Sequence, residues 1–189
     1  MSITNLLRIA VFLFLAPSAW ATEQITGYGD VPFEMTKSEL EKKLNQKAEV
    51  WGAGLLQLER QVTIFGNSYR VRYLIGGDKI VAIVVYNFGT LKAPEKTGFP
   101  LGKEDCGEYL QHLYSLLTRK YGNSVLPLKI IVRAENLYDY DAIFPSSNGA
   151  WLSFGGEYNL SSKFGDEGQE GPCFFELTYY PPEPIGEGF

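Results

Sequence analysis

Side chains able to do chemistry are few in this chain, and their spacing is the first constraint on function. The one imidazole is His112, and the only thiols are Cys106 and Cys173. On a helix, His112 shares the polar face with Asp105, Glu108, Ser115 and Arg119. Cys106 then lies about 120° around from it, given 3.6 residues per turn, so the two cannot form a catalytic dyad there. Glu108 and His112 make an ordinary i,i+4 pair on a solvated face. Asp139 and Asp141 alternate with Tyr138, Tyr140, Ala142 and Phe144, which puts both carboxylates on one face of a strand. Such a pair could run a glycoside-type hydrolysis or help hold Ca²⁺, but a solvated strand face is the simpler reading. Asp166, Glu167 and Glu170 belong to an acidic loop whose spacing fits no calcium loop. No G-x-S-x-G, H-E-x-x-H or phosphate-cradling glycine motif occurs, and Gly27-Tyr28-Gly29 precedes no helix of the dinucleotide-binding type. The expectation is therefore no enzyme, with no catalytic residue, no metal and no cofactor.

What remains is recognition. Tyr, Trp and Arg are the side chains that most often carry interface energy. Trp51 sits in a Trp-Gly-Ala-Gly loop, Tyr28 is flanked by glycines, and Arg70 and Arg72 point to the mixed face of a predicted sheet. These four are the candidate binding residues. Their structural alternative is that Trp51 and Tyr28 close the end of the core while the arginines pair across strands with Glu59 and Gln61. Composition narrows the partner. The chain has 189 residues with 45% apolar and 14% aromatic side chains, enough for a packed core, and a net charge of -5. An acidic balance argues against nucleic acid, since phosphate binding needs a basic surface. Another protein is the expected partner, with a small ligand as the alternative.

The N-terminus carries one charged side chain, Arg8, followed by an apolar run from Ile9 to Ala16. That run is shorter than the roughly 20 residues a membrane span takes. Pro17 and Ser18 end it, and Ala19-Trp20-Ala21 supplies an A-x-A site. Together these predict a secretory signal peptide over residues 1–21, cleaved after Ala21. No membrane insertion is expected after cleavage, and the location is periplasmic or secreted. In an oxidising compartment, Cys106 and Cys173 would form one disulfide, closing a long loop worth about 4 kcal/mol on the chain-entropy view.

The elements that position these residues follow from periodicity and punctuation. Thr36 with Glu39 three residues on forms a capping box, and Met35 with Leu40 a hydrophobic staple, so a helix is predicted from there to about Lys47. Three meander strands come next. A Gly66-Asn67 turn would set Ile64 against Tyr69, Val62 against Val71 and Arg60 against Tyr73. A Gly77-Asp78 turn would set Ile75 against Ile80, Tyr73 against Ala82 and Val71 against Val84. Both turns place the apolar residues on one face, leaving Leu74, Val81, Ile83 and Val85 beside Arg70 and Arg72 on the other. Residues 89–103 read as a crossover, and a second amphipathic helix is predicted over about Glu104 to Tyr121. Strands follow at about Leu128–Ala134, Leu137–Phe144, Ala150–Phe154, Glu157–Phe164 and Cys173–Tyr180, with a proline-rich tail over 181–189. The predicted fold is α+β: one domain over 22–180 in two helix-plus-antiparallel-β-meander halves, 22–88 and 104–180. Each helix would pack on a sheet face, and the disulfide would tie the second helix to the last strand.

The Phe33-x-Met35-Thr36-x-x-Glu39-Leu40 start and the helix ending Arg119-Lys120-Tyr121-Gly122 resemble small exported bacterial proteins built of helix-plus-antiparallel-sheet units, of the β-lactamase inhibitor protein kind. The resemblance covers those two segments and the element order. It implies a periplasmic protein that works by binding another protein, and it transfers no site residue.

Overall fold

The computed structural model describes residues 23–64, 67–87, 106–134, 137–159 and 173–183. The signal segment, the 89–103 crossover, the 165–171 acidic loop and the tail from 184 lie outside the described residues.

The first helix starts where its caps dictate. Helix α1 spans Lys37–Leu44. The Glu39 amide donates to the Thr36 hydroxyl at 3.3 Å, and the Thr36 amide donates to the Glu39 carboxylate at 2.9 Å. Two orphan donors are thus satisfied reciprocally, as a capping box requires. Leu40 is buried, and Met35 packs against the same core. The helix stops at Leu44, short of Lys47, because Asn45 turns into the left-handed region with φ 52°. Its amide bonds back to the Lys42 carbonyl at 3.3 Å, a left-handed C-cap that asparagine tolerates.

Most of the described chain is β. A short hairpin, β1 (Gly27–Tyr28) and β2 (Val31–Pro32), precedes α1. Strands β3 (Glu49–Gly52), β4 (Leu55–Ile64), β5 (Asn67–Gly76) and β6 (Lys79–Tyr86) follow α1. Helix α2 (Cys106–Tyr121) leads into β7 (Leu126–Ala134), β8 (Leu137–Pro145), β9 (Trp151–Asn159) and β10 (Cys173–Tyr180). All eight strands from β3 to β10 form one antiparallel sheet in the order β3-β4-β5-β6-β10-β9-β8-β7. This corrects the expected α+β fold of two helix-backed halves: among the described residues the protein is mainly β, with one eight-stranded sheet, the two-stranded β1–β2 hairpin and two helices.

The two meanders meet edge to edge, Tyr86 opposite Glu176 and Ile83 opposite Tyr179. The reason lies in β6, where every residue from Ala82 to Tyr86 is buried. A strand covered on both faces and paired on both sides reads as a near-continuous apolar run, which an edge strand of a separate sheet could not carry. The expected Cys106–Cys173 disulfide is not found among the described residues. Cys106 opens α2 and Cys173 opens β10, and their side chains lie outside the described ones.

The registers differ from expectation in an informative way. Across the first turn Val62 faces Tyr69, Arg60 faces Val71 and the last described pair is Ile64 with Asn67, so the pairing is centred one position earlier than a Gly66-Asn67 turn would set it. The slip moves each partner by two, and because side chains alternate with period two the faces survive. The second turn pairs Ile75 with Ile80 as expected, but a bulge then sets Leu74 against Ala82 and Tyr73 against Ile83. Val81 is the extra residue, and beyond it the strand is inverted. Ile83 and Val85 therefore face the core, while Ala82, Val84 and Tyr86 lie beside the arginines. The break expected at Gly155-Gly156 is absent, since β9 runs through both. Gly156 leaves room on the core face for Tyr140, whose hydroxyl donates to the Phe174 carbonyl at 3.2 Å.

The core lies between one face of this sheet and the helices. Val71, Tyr73, Ile83, Val85, Phe154 and Phe144 are buried there under Leu40 of α1 and Leu110, Leu117 and Tyr121 of α2. Tyr114 of α2 contacts Phe144 with ring centroids 5.6 Å apart. Across the β1–β2 hairpin, the Phe33 amide bonds to the Thr26 carbonyl at 2.9 Å. Tyr28 of that hairpin leans on Tyr179, the rings 5.5 Å apart.

Candidate functional site

The sheet face opposite the helices carries two of the four candidates, Arg70 and Arg72; no described element packs over it, yet Val84, Tyr86 and Thr178 near its centre are buried. Period-two alternation puts Glu59, Arg70, Arg72, Tyr86, Glu176, Thr178 and Tyr180 there, with Trp151, Ser153 and Asp141 further along. At its centre Glu59 holds both arginines. Arg70 Nη1 donates to Glu59 Oε1 at 3.3 Å and Arg72 Nη2 to Glu59 Oε2 at 3.2 Å. The Tyr86 hydroxyl donates to Glu59 Oε2 at 2.5 Å and accepts from Arg72 Nη2 at 2.5 Å. The Arg72 guanidinium also stands 4.8 Å from the centre of the Tyr86 ring, within cation–π reach. Burial and then the hydrogen bond to Glu59 push the Tyr86 phenol up from its ordinary range. Arg72 and Glu59 are about three-quarters covered, at 26% and 29% exposure, whereas the Arg70 side chain is 59% exposed. Arg72 is thus fixed in a network, and Arg70 is held by one end with its remaining donors toward solvent.

One turn-end of the same face carries an aromatic pair. Trp151 and Tyr180 are cross-strand partners, stacked with ring centroids 3.8 Å apart and planes 14° from parallel. Thr178, next on that face of β10, donates to Glu176 at 2.8 Å. Toward β7 the face turns acidic. Asp139 lies opposite Glu157, and Asp141 opposite Lys129. Among the described residues no three His, Cys, Asp or Glu side chains converge to hold a metal ion.

The four candidates are therefore not brought together as one set. Arg70 and Arg72 share the network just described, in the cross-strand pairing with Glu59 that was the alternative reading. Trp51 lies on the edge strand β3, 49% exposed, beside an irregularity in the pairing between Val50 and Gly52. Tyr28 lies on the helix side, in a cleft of about 520 Å³ lined by residues 23–32 with Lys120, Tyr121 and Tyr179. There Lys120 Nζ stands 3.5 Å from Glu23 and 5.1 Å from the Tyr121 ring centre. Burial pushes the Tyr28 phenol up, and it drives the almost fully covered Tyr179 phenol well above its ordinary range.

The Trp151–Tyr180 pair and the Tyr86 contribution were missed at the sequence level. The signal was present in the alternation of Trp151, Ser153 and of Glu176, Thr178, Tyr180. Their meeting with Arg72 depends on the β6–β10 junction and on the bulge at Val81, neither of which alternation reveals. Comparison of the chain with protein-family models, with characterised proteins and with solved structures found no match.

Proposed function

We propose that this chain is an exported, non-catalytic protein that recognises another protein, in the manner of an enzyme inhibitor or immunity factor, through the sheet face opposite its helices. The observation that supports the reading is the gathering of Arg70, Arg72, Trp151 and Tyr180 on that face. Rigid aromatic planes and pre-oriented guanidinium groups lose little side-chain freedom on binding, so they serve as anchors. The resemblance of the helix start and of the second helix end to exported inhibitor-type proteins points the same way. Immobilised protein should retain one stoichiometric partner from envelope extract, and Arg70→Ala combined with Trp151→Ala should release it while the far-ultraviolet circular dichroism stays unchanged. Retention unaffected by the double variant would remove this face from the proposal.

The cleft beside Tyr28 supports a second reading, a carrier of a small ligand. Its volume of about 520 Å³ falls in the range of small-molecule sites. Mass spectrometry of material extracted from the purified protein separates the two readings, because a carrier retains cargo and a protein-binding module does not.

A further inference from the structure

The turn between β8 and β9 holds the first described residues in place through its side chains, and one of those side chains is chemically labile. The Ile25 amide donates to the Ser146 hydroxyl at 3.1 Å, and the Asn148 side-chain amide donates to the Ile25 carbonyl at 2.9 Å. Both backbone groups of Ile25 are thus met by one turn, and Ile25 itself is only 1% exposed. Beside it, the Gln24 side chain reaches the Ser147 hydroxyl at 3.3 Å, and the Glu23 amide donates to the Lys120 carbonyl at 3.1 Å. The other end of the Asn148 side chain accepts from the Ala150 amide at 3.2 Å. This latch therefore needs a donor and an acceptor on one short side chain, which asparagine supplies and aspartate does not. Asn148 is also followed by Gly149, the one Asn-Gly pair in the chain. With no Cβ on the following residue, its amide nitrogen can reach the asparagine side-chain carbon and close a five-membered imide. In the fold that nitrogen is occupied. Gly149 stands at φ 85° and its amide donates to the Ser146 carbonyl at 3.0 Å, while the Ser146 amide donates to the Ala150 carbonyl at 2.8 Å.

We propose that Asn148 is a self-modification site guarded by the latch it makes: the docked fold protects it from deamidation, and deamidation in turn keeps residues 23–26 from docking again. When the latch opens, the Gly149 nitrogen attacks the Asn148 side-chain carbonyl carbon. The new N–Cγ bond forms, the Cγ–Nδ2 bond breaks, and the Gly149 amide proton passes through solvent to the departing nitrogen, which leaves as ammonia. One water then opens the imide. Cleavage of the N–Cγ bond gives aspartate, and cleavage of the bond to the main-chain carbonyl carbon gives isoaspartate. No oxidant or reductant is involved. Aspartate at 148 has no proton to donate, so its carboxylate would face the Ile25 carbonyl oxygen. Isoaspartate adds a methylene to the backbone of the turn and displaces the same donor. Either leaves the carbonyl of an almost fully covered residue unmet, and an unmet buried acceptor costs more than the bond itself gains. Opening of this kind is local, confined to one segment and one turn, and does not require global unfolding. Residues 23–32 line the cleft beside Tyr28, so conversion would also loosen one wall of that cleft.

Peptide mapping by mass spectrometry on the intact purified chain, incubated in neutral buffer, tests this. Conversion should occur first at Asn148, and several-fold more slowly in the native protein than in urea. Ser146→Ala removes the hydroxyl that meets the Ile25 amide and leaves Asn148 and Gly149 in place, so it should speed native conversion several-fold. Gln24→Ala loosens the same segment by one contact and serves if Ser146→Ala does not fold. Asn148→Asp should lower the thermal midpoint and open residues 23–26 to protease. Equal rates in the native and the urea-unfolded chain would overturn the guarding, and earlier conversion at another asparagine would overturn the site. An Asn148→Asp variant with the midpoint and protease pattern of the parent would overturn the latch.

Discussion

Glu59 accepts from two arginines and a tyrosine because β4, β5 and β6 set their side chains on one face at neighbouring positions. Each pair alone would contribute little, since exposed ion pairs are worth about 0–1 kcal/mol. The gain is orientation, because Arg72 has partners on more than one side. Two other residues show how local space decides the effect of a change. A Cβ on Gly156 would fall 2.5 Å from the Tyr140 hydroxyl and against the Phe174 backbone, whereas one on Gly155 would meet nothing nearer than the Tyr140 carbonyl at 3.4 Å. Gly156→Ala should therefore destabilise by about 1–3 kcal/mol, the usual range for overpacking, and Gly155→Ala by less than about 0.5 kcal/mol; urea denaturation distinguishes them. Asp30 makes ion pairs with Lys43 at 2.8 Å and Arg60 at 3.1 Å. The hydrogen bond from Lys43, and then that from Arg60, lower its carboxyl to about 2 from an ordinary 3.8. A depressed folded-state value means that this contribution is present above about pH 4 and lost as pH falls toward 2. Because the Asp30 side chain is well exposed, the contribution is strongly screened. Asp30→Asn should lower the urea midpoint slightly at neutral pH and progressively less as pH falls toward 2, with the difference shrinking in high salt.

At the scale of elements, the decisive feature is the bulge in β6. Val81 and Val85 are four residues apart and would share a face in an unbroken strand. The extra residue instead leaves Val81 37% exposed and Val85 1% exposed. Val85→Asp should abolish cooperative folding, because a buried carboxylate has no partner there, while Val81→Asp should leave the thermal midpoint nearly unchanged. Equal effects would mean that the strand is not inverted. Helix α1 offers a smaller test. Thr36→Ala removes the hydroxyl that accepts from Glu39, and it should cost about 1 kcal/mol by chemical denaturation. The capping box was legible in the sequence because it is closed within four residues. The bulge was not, because no turn or glycine marks it and both registers bury valine and isoleucine.

At the scale of the whole molecule, buried phenols lie on both sides of the β6–β10 junction. Tyr73 on β5 is fully buried, and burial pushes its phenol up to about 12, with the Arg60 guanidinium beside it opposing the shift. Tyr179 on β10 is almost as fully covered and shifts upward for the same reason. A folded-state value raised above the unfolded 10 gives stability that is complete below pH 10 and is lost as pH rises toward 12. Urea midpoints should therefore be flat up to pH 10 and fall steeply above it, and Tyr73→Phe should flatten part of that fall. Ultraviolet titration should show Tyr73 and Tyr179 ionising only as the protein unfolds.

Local chemistry decided much of this protein in advance. The α1 start, the central part of α2, most strand positions and the Arg70–Glu59 and Arg72–Glu59 pairing all follow from spacings of a few residues. Export, a protein partner and the absence of catalysis stand as expectations of the same kind. Only the tertiary structure decided that the two meanders share one sheet, that β6 inverts after Val81, and that Trp151 and Tyr180 join the arginine face. The physical reason is that hydrophobic burial is non-directional. An apolar strand signals that it will be covered, but which backbone edge pairs with it is set by contacts between residues far apart in the chain.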